Sequence, residues 1–514
     1  MQQLSELDAS FLYLESENTP MHIGGVYVFD GSARDRPLSF EAFAGYLRSR
    51  LHVAHFFRQR LMTIPLALDL PYWVDDPDFS IERHLAYVTL SGRQDLNGVV
   101  QLAERIIEEP LKRDRPLWHI TFVDGLEVSD ELPPHSFAMI IRIHHAAIDA
   151  FSGEDIMGTL LEYSPEPRPV PPAPAWRPRP LPSTQRLVMQ GATNALRKPF
   201  RLAAIGRHAL SASLQNLMLP QVVRRSLPRA FFNAPRSPFN RGITARRQLV
   251  SVDVPLARLK AVKSAIGDVT LNDVVLGVCA ETLSRYLNDH RQMPDRPLVA
   301  LTPVSVRSRS LRRPTGNQMS AMTLSLATDE PDPAKRIRII HRNAVVSESY
   351  QEAIAADRLT ELVPSTLLGL SARLYSEFQL AQYYRPMFNV PITNVPGPQV
   401  PLYLQGARLM RQFNFAPLFD GLGLVIVAVS YEGVLSFNLT LAPDVIDDGD
   451  CFRGLIEESL SAIEDAAAEL LPEDDTVPPL PPRQGEVLME TALNCAEQVV
   501  DSVSQQWKRF RQRS

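Results

Sequence analysis

The chain has 514 residues, 45% of them apolar and 22% charged, with a formal net charge of -5. That length and apolar content provide for two sizeable cores, and the acidic balance argues against a nucleic-acid binder, whose phosphate contacts need a basic surface. Three scattered cysteines, Cys279, Cys451 and Cys495, offer neither a disulfide framework nor a zinc site and fit a reducing cytosol.

The opening segment, MQQLSELDASFLYLESENTP, carries acidic residues where a secretory signal has a basic run and an apolar stretch, so export by that route is not expected. Nowhere do about 18 apolar residues follow one another, so any membrane contact is expected to be peripheral. Strand-like and helix-like runs alternate to about residue 163. Within them, SFAMIIRIHHAAIDAFSGEDI begins as a strand in which Phe137, Met139, Ile141 and Ile143 share one face. Continued period-two alternation puts His145 on that face and His144 on the other. A helix start follows, with Ser152 as N-cap ahead of Ile156, Met157 and Leu160.

Prolines then interrupt the pattern in SPEPRPVPPAPAWRPRPLPS, which reads as the start of a linker. Between Glu166 and Asp253 no carboxylate occurs, while Arg186, Arg197, Lys198, Arg201, Arg207, Arg224, Arg225 and Arg229 accumulate. This stretch is either a helical connector with its arginines in water or a surface for anionic lipid or cofactor phosphates. A second mixed region runs from about Leu249 to Leu471. It opens on the strand-like QLVSVDVPL, and its two apolar runs around Glu432-Gly433 predict a hairpin. Thr270 and Asp273 have the spacing of a helix capping box. Beyond PEDDTVPPLPPRQGE, apolar residues from Met489 to Phe510 recur at alternating intervals of four and three, predicting an amphipathic helix that packs on the protein or a partner.

The histidine pair carries the chemistry. Histidine suits removal of a proton from an alcohol, because its unperturbed pKa of about 6.5 lies near neutrality. An activated thioester needs no covalent enzyme intermediate, and no GxSxG elbow or catalytic-cysteine motif accompanies the pair. Against this stand structural roles for His144 and Asp149, and a metal site, which the opposed faces of adjacent strand residues disfavour.

His144-His145-Ala-Ala-Ile-Asp149 resembles the HHxxxDG motif of the superfamily that includes chloramphenicol acetyltransferase and peptide-synthetase condensation domains. With LDASFLYLESENTPMHIGG, Pro116-Leu117-Trp118, Asn272-Asp273, PVSVR ending at Arg307 and TNVPGP at Thr393–Pro398, residues 4 to 470 look like the bacterial wax ester synthase/diacylglycerol acyltransferase family. One departure is Ala150, where the family has glycine.

The resemblance implies an α/β fold of two chloramphenicol acetyltransferase-like lobes with mixed sheets flanked by helices and a channel between them. The expected divisions are an N-terminal lobe at 1–183, a basic linker at 184–245, a C-terminal lobe at 246–472, and a spacer and helix at 473–514. It implies long-chain acyl transfer from acyl-CoA, the co-substrate, to diacylglycerol or a fatty alcohol, with no bound cofactor or metal. His145 would be the general base, with His144 and Asp149 maintaining geometry and Arg307 pairing with Asp149. Asn272 would stabilise an oxyanion or serve the helix start, and Pro116, Leu117 and Trp118 would line the substrate site or pack beneath it. The implied location is cytoplasmic, against the inner membrane face or a lipid droplet, with self-association left open. Acylation of another lipid or polyketide alcohol, and a silent lipid-droplet coat, remain as alternatives.

Overall fold

The computed structural model describes residues 2–64, 69–90, 95–147, 156–170, 172, 175–183, 185–189, 193, 234–305, 319–354 and 385–470. Asp149, Ala150, Ser152, Arg307, the basic positions from Arg197 to Arg229, Cys495 and the C-terminal amphipathic helix lie outside them.

The first half runs β1 (Gln2–Gln3), α1 (Glu6–Leu14), β2 (His22–Asp30), α2 (Phe40–Arg50), β3 (Gln59–Met62), β4 (Tyr72–Asp75), β5 (Leu85–Thr89), α3 (Leu96–Ile107), β6 (Trp118–Asp124), β7 (Phe137–His144) and α4 (Ile156–Leu160). The second runs β8 (Gln248–Pro255), α5 (Leu256–Ile266), α6 (Leu271–Asp289), β9 (Val299–Ser305), β10 (Met319–Ser325), α7 (Pro333–Ile354), β11 (Val390–Pro396), β12 (Tyr403–Leu404), β13 (Ala407–Phe415), β14 (Leu424–Tyr431), β15 (Val434–Leu441) and α8 (Cys451–Ala468). Contacts group Met1–Glu464, which holds every sheet, apart from Asp465–Ser514, which is described only through residue 470.

Two six-stranded mixed sheets organise the larger unit, in the orders β12-β13-β2-β7-β6-β5 and β10-β9-β11-β14-β15-β8. In the first, only β5 and β6 pair in parallel; in the second, β11 runs parallel to both β9 and β14. β1, β4 and β3 form a small third sheet. The first sheet is completed by β13, which pairs with β2 across nearly four hundred residues of chain. From there Asn414 and Ala416 donate backbone N–H bonds to the side chains of Asn438 and Thr440 on β15, joining the two sheets.

β7 is central, and all eight of its residues are buried. Phe137, Met139, Ile141 and Ile143 belong to one apolar cluster, while Ala138 and Ile140 join another against α3, as period-two alternation requires. The strand ends at His144, and His145–Ala147 forms a single 3-10 turn. The predicted hairpin is β14–β15, closed by Glu432 and Gly433, both at positive φ, which gives the primed two-residue turn that matches strand twist. The predicted capping box is also present: Thr270 accepts from the backbone of Asp273, and the Asp273 carboxylate accepts from the backbone of Thr270.

The proline-rich segment lies along the first half. The Trp176 indole donates to Asp76 O at 3.1 Å and Arg179 N donates to Asp75 at 3.0 Å.

Candidate active site

The histidine pair is fixed first by backbone. His144 N donates to Leu117 O at 3.0 Å, and His145 N donates to Met21 O at 2.7 Å. Ala146 N donates to His144 Nδ1 at 3.1 Å, so that nitrogen is the acceptor and the neutral ring carries its proton on Nε2. His144 Nε2 is 3.3 Å from Glu15 Oε1 but lacks hydrogen-bond alignment; the approach is an electrostatic contact. Glu15 also accepts from Met21 N at 3.2 Å and from the Arg113 guanidinium at 2.6 and 3.0 Å. Burial alone would raise the Glu15 pKa, but the close approach of His144 and the charge and hydrogen bonds of Arg113 outweigh it and hold the carboxyl at about 2.

His145 occupies a different environment. Its ring stacks on Phe11, centroids 3.8 Å apart and planes 19° from parallel. It keeps some accessible surface, yet its Nδ1 is buried and has no hydrogen-bond partner among the described residues. Burial pushes its pKa down to about 4, with His144 adding to the effect and a backbone hydrogen bond opposing it. Above about pH 5 the imidazole is therefore neutral and can accept a proton. His144 is thus tied at Nδ1, whereas His145 is held by its face and its buried Nδ1 has no hydrogen-bond partner among the described residues.

Pro116, Leu117 and Trp118 are buried beneath the pair. Leu117 supplies the carbonyl that holds His144 N, while the Trp118 indole donates to Phe57 O at 3.0 Å and stacks on His84 at 4.4 Å. Asn272, on the first turn of α6, accepts at Oδ1 from Asn394 Nδ2 at 3.3 Å, so two separate sequence motifs meet there. Its neighbour Asp273 carries the cap and also bonds His341 Nδ1 at 2.8 Å. Asp149 and Arg307 lie outside the described residues. Sequence reasoning did not single out Phe11, Glu15, Arg113 or His22, which pairs with His144 in the sheet register. The available signal was the four-residue spacing of Phe11 and Glu15. Among the described residues, no group of three or more His, Cys, Asp or Glu side chains is placed to hold a metal ion.

The catalytic-domain model of the wax ester synthase/diacylglycerol acyltransferase family matches residues 4–275, and that family's C-terminal domain model matches residues 315–464. The chain belongs to this family. A Mycobacterium tuberculosis (strain CDC 1551 / Oshkosh) protein with a provisional diacylglycerol O-acyltransferase name is 31% identical over 477 residues, 90% of this chain and 91% of that one. Among solved structures, the wax ester synthase/diacylglycerol acyltransferase from Marinobacter aquaeolei VT8 is 26% identical with a TM-score of 0.62, covering 91% of this chain and all of that one. The first condensation domain of the calcium-dependent antibiotic synthetase, 17% identical with a TM-score of 0.51 and covering 91% and 96%, shares the fold. This acyltransferase therefore has the expected α/β architecture of mixed sheets and helices, and its family uses acyl-CoA as co-substrate.

Desolvation at this acyltransferase's site has a consequence for stability. Burial is the leading cause of low pKa values at His22 (about 3) and at His84, His119 and His145 (each about 4), against about 6.5 for a free imidazole. As pH falls through 6.5 the unfolded chain takes up these protons first, so stability is full above that value and declines towards pH 4. Each group contributes up to about 1.4 kcal/mol of loss per pH unit in that window. The lowered Glu15 carboxyl acts in the same direction, but only below its ordinary pKa of about 4.5, so it adds a further loss at lower pH. Tm is expected to fall steadily between pH 7 and pH 5; a flat profile measured by calorimetry would contradict the burial assigned to these rings.

Proposed function

We propose that this acyltransferase moves a long-chain acyl group from acyl-CoA to diacylglycerol or a long-chain alcohol, with His145 as general base. The observation that carries the reading is the His145 imidazole, kept neutral by burial and left without a hydrogen-bond partner at Nδ1. The ring takes the proton from the acceptor hydroxyl as its oxygen bonds to the thioester carbonyl carbon. Collapse of the tetrahedral intermediate breaks the carbon–sulfur bond, and the imidazolium returns the proton to the leaving thiolate. Ester and free coenzyme A are the products, and no covalent acyl-enzyme is required.

Asn272 is the proposed oxyanion donor. Asn394 engages its Oδ1, which turns the Nδ2 hydrogens away to donate. Because Thr270 and Asp273 make the cap, Asn272→Ala should leave Tm unchanged while lowering kcat by about 10²-fold. Equal losses in folded fraction and rate, measured by circular dichroism and turnover, would instead assign Asn272 to the helix start. Asp149 keeps its proposed place as a geometry-setting carboxylate with Arg307 as its partner.

No described helix is long and apolar enough to cross a membrane. Lipid acceptors reside in bilayers or droplets, so we place the enzyme peripherally on such a surface, with the arginine-rich stretch beyond Glu166 supplying attraction to anionic lipid. Labelled palmitoyl-CoA offered with dioleoylglycerol or hexadecanol, followed by chromatography of the products, tests the acceptor class. Labelled triacylglycerol or wax ester is expected. Turnover only with an unrelated hydroxyl compound would overturn the acceptor assignment.

A further inference from the structure

The N-terminal segment has no part in the proton transfers above, yet it touches both histidines. Glu15 N donates to Phe11 O at 3.2 Å, so the two side chains lie one helical turn apart on a shared face at the end of α1. Each reaches a different ring: Phe11 covers the face of His145, and Glu15 stands 3.3 Å from His144 Nε2. Glu15 also holds Met21 N, while Met21 O holds His145 N. A carboxylate at the negative end of a helix is unfavourable by itself. Arg113 offsets this by donating both to Glu15 Oε2 and, at 2.8 Å, to Leu12 O, one of the last-turn carbonyls of α1.

We propose that Phe11 and Glu15 are positioning residues, a two-point clamp in which Phe11 sets the plane and water cover of His145 while Glu15, locked by Arg113, sets His144 and the Met21 backbone. This rests on His145 being the base. Stacking restricts rotation of the ring and excludes water from one face, favouring the neutral form. Glu15 acts one step further away, through His144 and the peptide that receives the His145 N–H. Neither side chain need touch substrate.

The test uses the purified full chain with Phe11→Leu, Phe11→Tyr, Glu15→Gln and His145→Ala in parallel, measuring kcat, KM for palmitoyl-CoA and the pH profile of kcat/KM. Phe11→Leu keeps an apolar side chain but loses the stack, and should lower kcat by roughly 10- to 100-fold, as small misplacements of a catalytic group do. KM should stay within about threefold, since the lost interaction is with the base and not with substrate. The acid limb should move up by about one unit towards the free imidazole value, because water gains access to the ring. Phe11→Tyr should restore both rate and profile. Glu15→Gln, nearly isosteric, should lower kcat by about 10-fold with KM unchanged, and it keeps the proposal testable if Phe11→Leu does not fold.

A wild-type rate and pH profile in both Phe11→Leu and Glu15→Gln, beside an inactive His145→Ala, would overturn the clamp while leaving the base in place. A Phe11→Leu variant that loses only Tm, with unchanged turnover per folded molecule, would overturn it too. An active His145→Ala is a separate result that removes the base assignment, and the clamp's catalytic purpose with it.

Discussion

Replacing His145 with alanine should lower ester formation by about 10²- to 10⁴-fold, the usual contribution of a positioned general base. The fold should survive, because the ring's buried Nδ1 satisfies nothing in the described chain and the stack on Phe11 is worth only about 0.5–1.5 kcal/mol beyond its area. His144→Ala should behave differently. That ring is fully buried, receives the Ala146 N–H and faces the Glu15 carboxylate, so its removal leaves a cavity, an unpaired donor and a less balanced buried charge. Its loss should appear in both Tm and rate. Thiol release and labelled product, read beside thermal unfolding, separate the two; near-normal transfer by a folded His145→Ala variant would remove the base from the mechanism.

Gly24→Ala should be the most damaging small substitution near the site. Gly24 lies inside β2, between β13 and β7, and a Cβ there would sit 1.8 Å from Ile141 O and 2.9 Å from the Phe415 ring. The first obstacle is a backbone atom of the strand that ends in His144, so relief requires moving β7 itself. Overpacking of this kind costs about 1–3 kcal/mol and occasionally more. Two residues away His22 is in register with His144, so the displacement reaches the site as well as the core. Tm and activity should fall together. Wild-type values for both would mean that the two strands are not packed so closely.

Local features were readable from sequence because they depend on neighbours along the chain. The two faces of β7, the turn at Glu432-Gly433 and the Thr270–Asp273 cap each follow from spacing of a few residues. Alternation also assigned the histidines to different sides, although the strand stops at His144 and His145 begins a turn. What escaped were contacts between distant segments. Nothing local to residues 407–415 marks them as a strand of the first sheet, since their partner β2 is chosen by tertiary packing. In the same way Arg113 meets Glu15 across 98 residues and Asn394 meets Asn272 across 122. The matched N-terminal, ND and TNVPGP motifs identified the family without disclosing these pairings. Their physical sense emerges as Phe11 and Glu15 grip the histidines, Gly24 admits β7, and two amides meet at the start of α6.

Transfer without a covalent intermediate is tested most directly by mixing purified enzyme with labelled palmitoyl-CoA, with and without a long-chain alcohol or diacylglycerol, and following thiol and label together. With acceptor, free coenzyme A and labelled ester should appear in equal amounts; without it, neither a thiol burst nor labelled protein should form. A burst of thiol with label retained on the protein would contradict direct, His145-assisted transfer.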